Sequence, residues 1–225
     1  MRVQIYSLTH PADVEACLSA GVDHLGVAAG DQDVPASISN ERARELFALV
    51  PDHRTTVALT VATTVDAVVE YATAVDPDIL HLCSDTWALD AAACRSVRAA
   101  IPEEMALMKA IDVADESAIE AAETFAPVAD WLILDTATPD VSGVGASGET
   151  HDWTVSRRIV ETVSTPVMLA GGLSPANVGD AIRTVSPAGV DSYTHTSRSE
   201  ARKDHEAVRA FTANARQAAA AAARE

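Results

Sequence analysis

Lysine is almost missing from this chain: of 16 basic residues only Lys109 and Lys203 are lysines, set against 33 acidic residues. The resulting formal charge of −17 repels polyphosphates and anionic surfaces, which excludes a nucleic-acid binder and a membrane-surface protein as function classes. Such a surface repels itself in dilute buffer and is best tolerated where salt shortens the Debye length to a few ångströms, which points to the cytoplasm of a high-salt organism. Cysteine is scarce too. Cys17, Cys83 and Cys94 are odd in number and match no zinc-ligand or CxxC spacing, so neither a disulfide framework nor a metal is implied and each reads as a small apolar core residue. Long hydrophobic runs are lacking as well, and no cationic stretch with an apolar run opens the chain. The expectation is an unexported, soluble protein.

What is present is an alternation. In 225 residues, 48% of them hydrophobic, short β-branched or apolar runs alternate with Ala-rich stretches of helical period about eight times. Strands are predicted near 2–6, 23–28, 55–61, 78–83, 105–111, 130–135, 166–170 and 188–193. Helix starts are marked by Thr9 and Pro11 before 12–20, Ser39 and Glu41 before 40–49, and Ser174 and Pro175 before 175–184. Runs such as Trp131-Leu132-Ile133-Leu134 are apolar at every position, as in a parallel sheet covered on both faces. Eight βα units in this length predict an α/β fold of one domain, residues 1–225, closed as a (βα)8 TIM barrel.

In such a barrel, chemistry gathers at the carboxyl ends of the strands. The segment Leu169-Ala170-Gly171-Gly172-Leu173-Ser174-Pro175 frees the backbone of Cβ atoms where the seventh strand ends. Its N–H groups can converge on an anion, so Gly171, Gly172 and Ser174 are candidate phosphate ligands. A second glycine-rich stretch, Ser142 to Thr150, follows strand six and is long enough for a lid or clasp, with Gly145 and Ser147 as candidates. Asp135 ends the run Trp131 to Leu134, where partial desolvation raises a carboxyl pKa, and is the candidate general acid.

These residues resemble phosphoribosylanthranilate isomerase, a (βα)8 family that converts an aminoaldose phosphate to its aminoketose by an Amadori rearrangement. The resemblance rests on Ala20-Gly21-Val22-Asp23 with Leu25-Gly26, on Leu134-Asp135-Thr136 with Gly145 to Trp153, on Leu169 to Val178, and on Gly189-Val190-Asp191 with Lys203-Asp204. It implies that Asp135 protonates the furanose ring oxygen, and that Gly171, Gly172 and the strand-eight loop, with Thr194 and His195, hold phosphate. It implies no cofactor.

The chain departs from the family pattern at four places. Where the family has Lys-Ile-Cys-Gly, whose cysteine removes the C2 proton, this sequence reads Gln4-Ile5-Tyr6-Ser7, and a phenol with a reference pKa of about 10 is a poor base. Where the family carries an arginine for the anthranilate carboxylate, the chain has Asp31-Gln32-Asp33, and two carboxylates there would repel that group. Strand four ends His81-Leu82-Cys83-Ser84 and strand eight continues Tyr193-Thr194-His195. His81 and Cys83 share strand parity and so can both face the barrel interior. The base is therefore one of Cys83, His81 or Tyr6. The expected function is an Amadori-type isomerase acting on a phosphorylated sugar other than phosphoribosylanthranilate. The alternatives are an authentic phosphoribosylanthranilate isomerase with a relocated base, a Schiff-base lyase using Lys109, which otherwise positions substrate, and a non-catalytic barrel that binds a phosphorylated metabolite. A monomer or a homodimer is equally compatible with the sequence.

Overall fold

The computed structural model describes residues 1–30, 32–137, 143–145, 148, 150–199 and 201–224. Eight parallel strands close into a barrel in sequence order: β1 (Arg2–Ile5), β2 (His24–Ala28), β3 (Thr55–Thr60), β4 (Ile79–Leu82), β5 (Ala106–Asp112), β6 (Trp131–Asp135), β7 (Val167–Leu169) and β8 (Gly189–Ser192). The seam is closed by β1 on β8, with Gln4 opposite Asp191. Helices α1 (Pro11–Ala20), α2 (Asn40–Phe47), α3 (Val65–Val75), α4 (Ala91–Ala100), α5 (Ser117–Phe125), α6 (Trp153–Thr162), α7 (Val178–Val185) and α8 (His205–Ala222) pack outside. A small antiparallel hairpin, β9 (Ser197–Ser199) with β10 (Arg202–Lys203), lies between β8 and α8.

Strand parity divides the core in two. Leu25, Leu80, Leu107, Leu132 and Leu134 point outward into the layer shared with the helices. Val57, Ile79, Met108, Ile133 and Met168 fill the barrel interior. Each fully buried leucine in the outer layer contributes on the order of 2 kcal/mol by leaving water. All three cysteines are free and buried.

Most helix starts follow local chemistry. Ser39 Oγ accepts the Arg42 N–H at the start of α2, a cap worth about 1 kcal/mol. The other two predicted starts shift. His10, not Thr9, caps α1 through its imidazole. Helix α7 begins at Val178, three residues later than Ser174-Pro175 suggested, because Asn177 folds back on the turn: its Oδ1 accepts the Ser174 N–H at 2.7 Å and its Nδ2 donates to the Gly172 carbonyl at 3.0 Å.

The β9–β10 hairpin is anchored to α1 by one buried carboxylate. Asp13 accepts from Arg202 Nε at 2.8 Å and pairs with His205 Nε2 at 2.7 Å. Burial alone would raise its pKa, but the hydrogen bonds from Arg202, His205 and the Lys203 backbone bring it below the usual carboxylate value. This clamp fixes the loop that follows β8, which borders the site described next.

Candidate active site

Two hollows lie at the carboxyl ends of the strands and share a wall. The larger, of about 550 Å³ with its open mouth, is bordered by Tyr6, Ser7, His81, Cys83 and the apolar Val34, Pro35, Leu59 and Val61, among others. The smaller, of about 280 Å³, is bordered by Gly148, Gly171, Gly172, Leu173, Ser192, Thr194 and His195. Asp135, Asp191 and Tyr193 line both. A ligand with one apolar end and one anionic end would therefore lay its middle across two carboxyl groups.

Asp135 stands at the tip of β6, where its Oδ1 accepts the Thr136 N–H at 2.8 Å. Its pKa is pushed up to about 7: burial raises it, the Thr136 N–H opposes, Asp112 on β5 raises it further and the Gly171 N–H lowers it. Gly145 presses on this carboxyl so closely that a Cβ there would sit 2.6 Å from Oδ2. Gly145 thus borders the larger chamber beside the acid and is not part of the smaller, phosphate-type hollow to which the sequence assigned it. Ser147 lies outside the described residues.

Asp191, at the end of β8, is the site residue that the sequence reading missed. Burial and then the charge of Asp135 push its pKa up to about 8. Its Oδ1 is buried and has no hydrogen-bond partner among the described residues. The available signal was parity: Asp191 faces inward with Gln4 across the seam, at the same rim as Asp135.

His81 and Cys83 face the barrel interior, as strand parity predicted, and Tyr6 meets them there. Tyr6 Oη lies 2.8 Å from His81 Nδ1, and Cys83 Sγ lies 3.2 Å from His81 Nε2. The phenol ring fits only because residue 26 is glycine: a Cβ there would fall 2.8 Å from the ring. Burial, aided by the Lys109 charge, lowers the His81 pKa to about 3, and burial raises those of Tyr6 and Cys83. All three groups are uncharged at neutral pH, and none is tuned to take a proton from carbon.

The smaller hollow has the glycine turn at its edge. Gly171 and Gly172 adopt φ of 74° and 61°, a region that side chains disfavour. A Cβ on Gly171 would lie 2.9 Å from both Thr136 Oγ1 and His151 Nδ1. His151, unnoticed in the sequence, braces this turn: Nδ1 lies 3.2 Å from Thr136 Oγ1 and Nε2 lies 2.7 Å from Ser156 Oγ. Thr194 and His195 line the hollow as expected, and His195 Nε2 lies 3.1 Å from the Gly148 carbonyl. Ser174 does not line it, since Asn177 has taken its N–H.

Two further expectations are corrected. Lys109 shares the outward parity of Leu107 and Ile111; its fully buried Nζ donates to the carbonyls of Ser84 at 2.5 Å and Leu82 at 3.4 Å and sits over the Phe125 ring. It reaches neither chamber, so it neither positions substrate there nor offers an amine for a Schiff base. Asp33 and Gln32 border a separate outer groove with Glu70 and Asn40, and Gln32 ties its loop to β3 through the Val61 N–H and the Leu59 carbonyl. Asp33 therefore does not line the larger chamber, where repulsion was foreseen; Asp31 lies outside the described residues.

Comparison with known proteins agrees with this geometry. The family model described as N-(5′-phosphoribosyl)anthranilate (PRA) isomerase matches residues 3–214. The N-(5′-phosphoribosyl)anthranilate isomerase of Haloferax volcanii is 41% identical over 96% of this chain and 94% of its own length. That of Halobacterium salinarum strain R1 is 38% identical over 95% of each. The crystal structure of phosphoribosyl anthranilate isomerase from Thermotoga maritima superposes with a TM-score of 0.81 and 26% identity, covering 96% of this chain and 99% of that one.

Proposed function

Because this chain belongs to the N-(5′-phosphoribosyl)anthranilate isomerase family, we propose that it catalyses that family's Amadori rearrangement on phosphoribosylanthranilate itself. The observation that carries the proposal is the wall common to the two chambers, where Asp135 stands between an apolar hollow and a glycine-edged one.

The glycine turn with Thr194 and His195 receives the phosphate, and Val34, Pro35, Leu59 and Val61 receive the aryl ring. This places the ribose beside Asp135. A carboxyl pKa of about 7 leaves a substantial protonated fraction at neutral pH, so Asp135 donates its proton to the ring oxygen as the C1–O bond breaks. The described lining of both chambers contains no lysine or arginine. Lys203, buried behind Tyr193 with its Nζ 4.8 Å from the ring centroid, supplies positive potential from the second layer. Its pKa falls to about 8 through burial, offset by Cys17, Asp191 and Asp13, so this support fades at alkaline pH.

The expectation of a different phosphosugar drew on changed loops, above all on carboxylates where an arginine was wanted. Asp33 borders a separate groove and does not line the chamber, and relatives across nearly the whole chain carry the phosphoribosylanthranilate isomerase name. Both support the authentic substrate. The −17 charge and relatives from Haloferax and Halobacterium support a high-salt setting. The test is turnover by the purified protein in multimolar KCl, comparing phosphoribosylanthranilate with a panel of aldose phosphates. Preferred turnover of phosphoribosylanthranilate is expected; turnover of another aldose phosphate alone would overturn the proposal.

A further inference from the structure

The resemblance that implies a cysteine base places Tyr6 at that position, so on the substrate reading above another group takes the C2 proton. Tyr6, His81 and Cys83 satisfy one another in a buried, uncharged network. Asp191 is different. It lines both chambers next to Asp135, and its buried Oδ1 has no partner among the described residues. Across the seam it meets Gln4, a neutral amide that partly offsets the rise in its pKa and brings no charge. Lys203, whose charge acts on Asp191, directs Nζ to Ser197 Oγ at 2.8 Å and to the Tyr193 carbonyl. A buried carboxylate with one oxygen left without a partner keeps its affinity for protons, although Gln4 and the Ser192 backbone oppose the rise.

Resting on the substrate reading above, we propose that Asp191 is the general base, so that β6 and β8 supply the acid and the base as a pair of carboxyls on the shared wall. As Asp135 protonates the ring oxygen, the C1–O pair leaves on oxygen and the nitrogen lone pair closes a C1=N iminium. Asp191 then takes the proton from C2. The C–H pair becomes the C1=C2 bond and the C=N π pair returns to nitrogen. Asp191 delivers its proton to C1, the C2 hydroxyl loses its own, and C2 emerges oxidised to a ketone with C1 reduced. The hydroxyl proton restores Asp135 by way of solvent.

Charge on one carboxyl opposes ionisation of the other; in the empty site Asp191 has the higher proton affinity of the two, so the reactive form is the minor tautomer of the singly protonated pair, with the proton on Asp135 and Asp191 ionised. The remaining titratable groups around Asp191 are Tyr6, Cys83 and Lys203. The first two stay neutral, and Lys203 keeps its charge below about pH 8.

The test compares wild type with Asp191→Asn and Asp191→Glu in high salt, measuring turnover of phosphoribosylanthranilate, its pH profile, and affinity for the reduced, non-isomerisable aminoketose phosphate. Asp191→Asn is expected to lose roughly 10³-fold in kcat while binding the reduced ligand within a few-fold, which also shows that it folds. Wild type should give a bell-shaped profile whose acidic limb is absent from the residual Asp191→Asn activity, and Asp191→Glu should recover part of the rate. Asp191→Asn turnover within tenfold of wild type, with Cys83→Ser or Tyr6→Phe abolishing it, would overturn the base assignment alone. A wild type inactive on phosphoribosylanthranilate would overturn the substrate reading and this inference with it.

Discussion

Replacing Gly171 with alanine tests whether the glycine turn is built for an anion or is merely a turn. At φ of 74° an alanine costs about 1–2 kcal/mol from its Cβ alone. The added carbon would also sit 2.9 Å from Thr136 Oγ1 and from His151 Nδ1. Neither is a loose chain end, since His151 is held on its other side by Ser156, so overpacking adds about 1–3 kcal/mol. The sum, about 2–5 kcal/mol, corresponds to a fall in Tm of roughly 5–15 °C for a chain of this size. The turn relieves part of this by moving away from Thr136, which spoils at least one N–H contact to phosphate. A charge-assisted hydrogen bond of about 1.5–3 kcal/mol then converts to a KM raised about 10–100-fold. Gly179→Ala is the internal control. Gly179 lies in α7 and a Cβ there meets nothing closer than an Arg183 guanidinium nitrogen at 3.4 Å. That variant should gain about 0.5–1 kcal/mol and leave KM alone. Thermal melts and steady-state kinetics of both proteins decide the matter, and a Gly171→Ala protein that melts and binds like Gly179→Ala would show that the segment is only a turn.

Lys109→Met should lower the urea midpoint by an amount worth about 2–3 kcal/mol, because the Ser84 and Leu82 carbonyls lose their donor; borohydride reduction of wild type with carbonyl substrates should leave no adduct on Lys109, and one found by mass spectrometry would reverse its placement outside the chemistry. Asp13→Asn should cost about 3 kcal/mol by leaving Arg202 and His205 without their partner and should raise KM more than it lowers kcat, since the loop beside the phosphate hollow is loosened. The Asp13 pKa is lowered in the folded protein, so its stabilisation is present above the ordinary carboxylate range and is lost as pH falls through the folded value. Acid titrations of stability should therefore be shallower for Asp13→Asn than for wild type, and coincident curves would contradict the clamp.

The barrel was legible because parallel strands covered on both faces leave near-continuous apolar runs, and all eight appear within a residue or two of their predicted ends. Parity placed His81 and Cys83 correctly inside. The same rule, applied along β5, puts Lys109 with Leu107 and Ile111 on the outward face; its rarity in the composition drew it into the chemistry wrongly. Ser174-Pro175 imitates a helix start, but the side chain that caps the turn is Asn177, whose backward reach depends on the positive φ of the two glycines before it. Asp191 was passed over because a carboxyl within a strand motif looks structural until its neighbours are known. Its half-satisfied carboxyl is a property of the packed barrel, and no spacing in the chain announces it. The loop after β2 misled for a related reason: the sequence counts the charge of Asp33 but not the direction in which it points.

Asp135 carries the account, and its direct test is single-turnover conversion of phosphoribosylanthranilate by Asp135→Asn alongside binding of the reduced aminoketose phosphate. The expected result is a rate lowered by at least about 10³-fold with ligand affinity close to that of wild type, since the amide keeps the shape of the shared wall but has no acidic proton to give. Turnover at the wild-type rate would contradict the assignment of the acid, and with it the chemistry proposed for the two chambers.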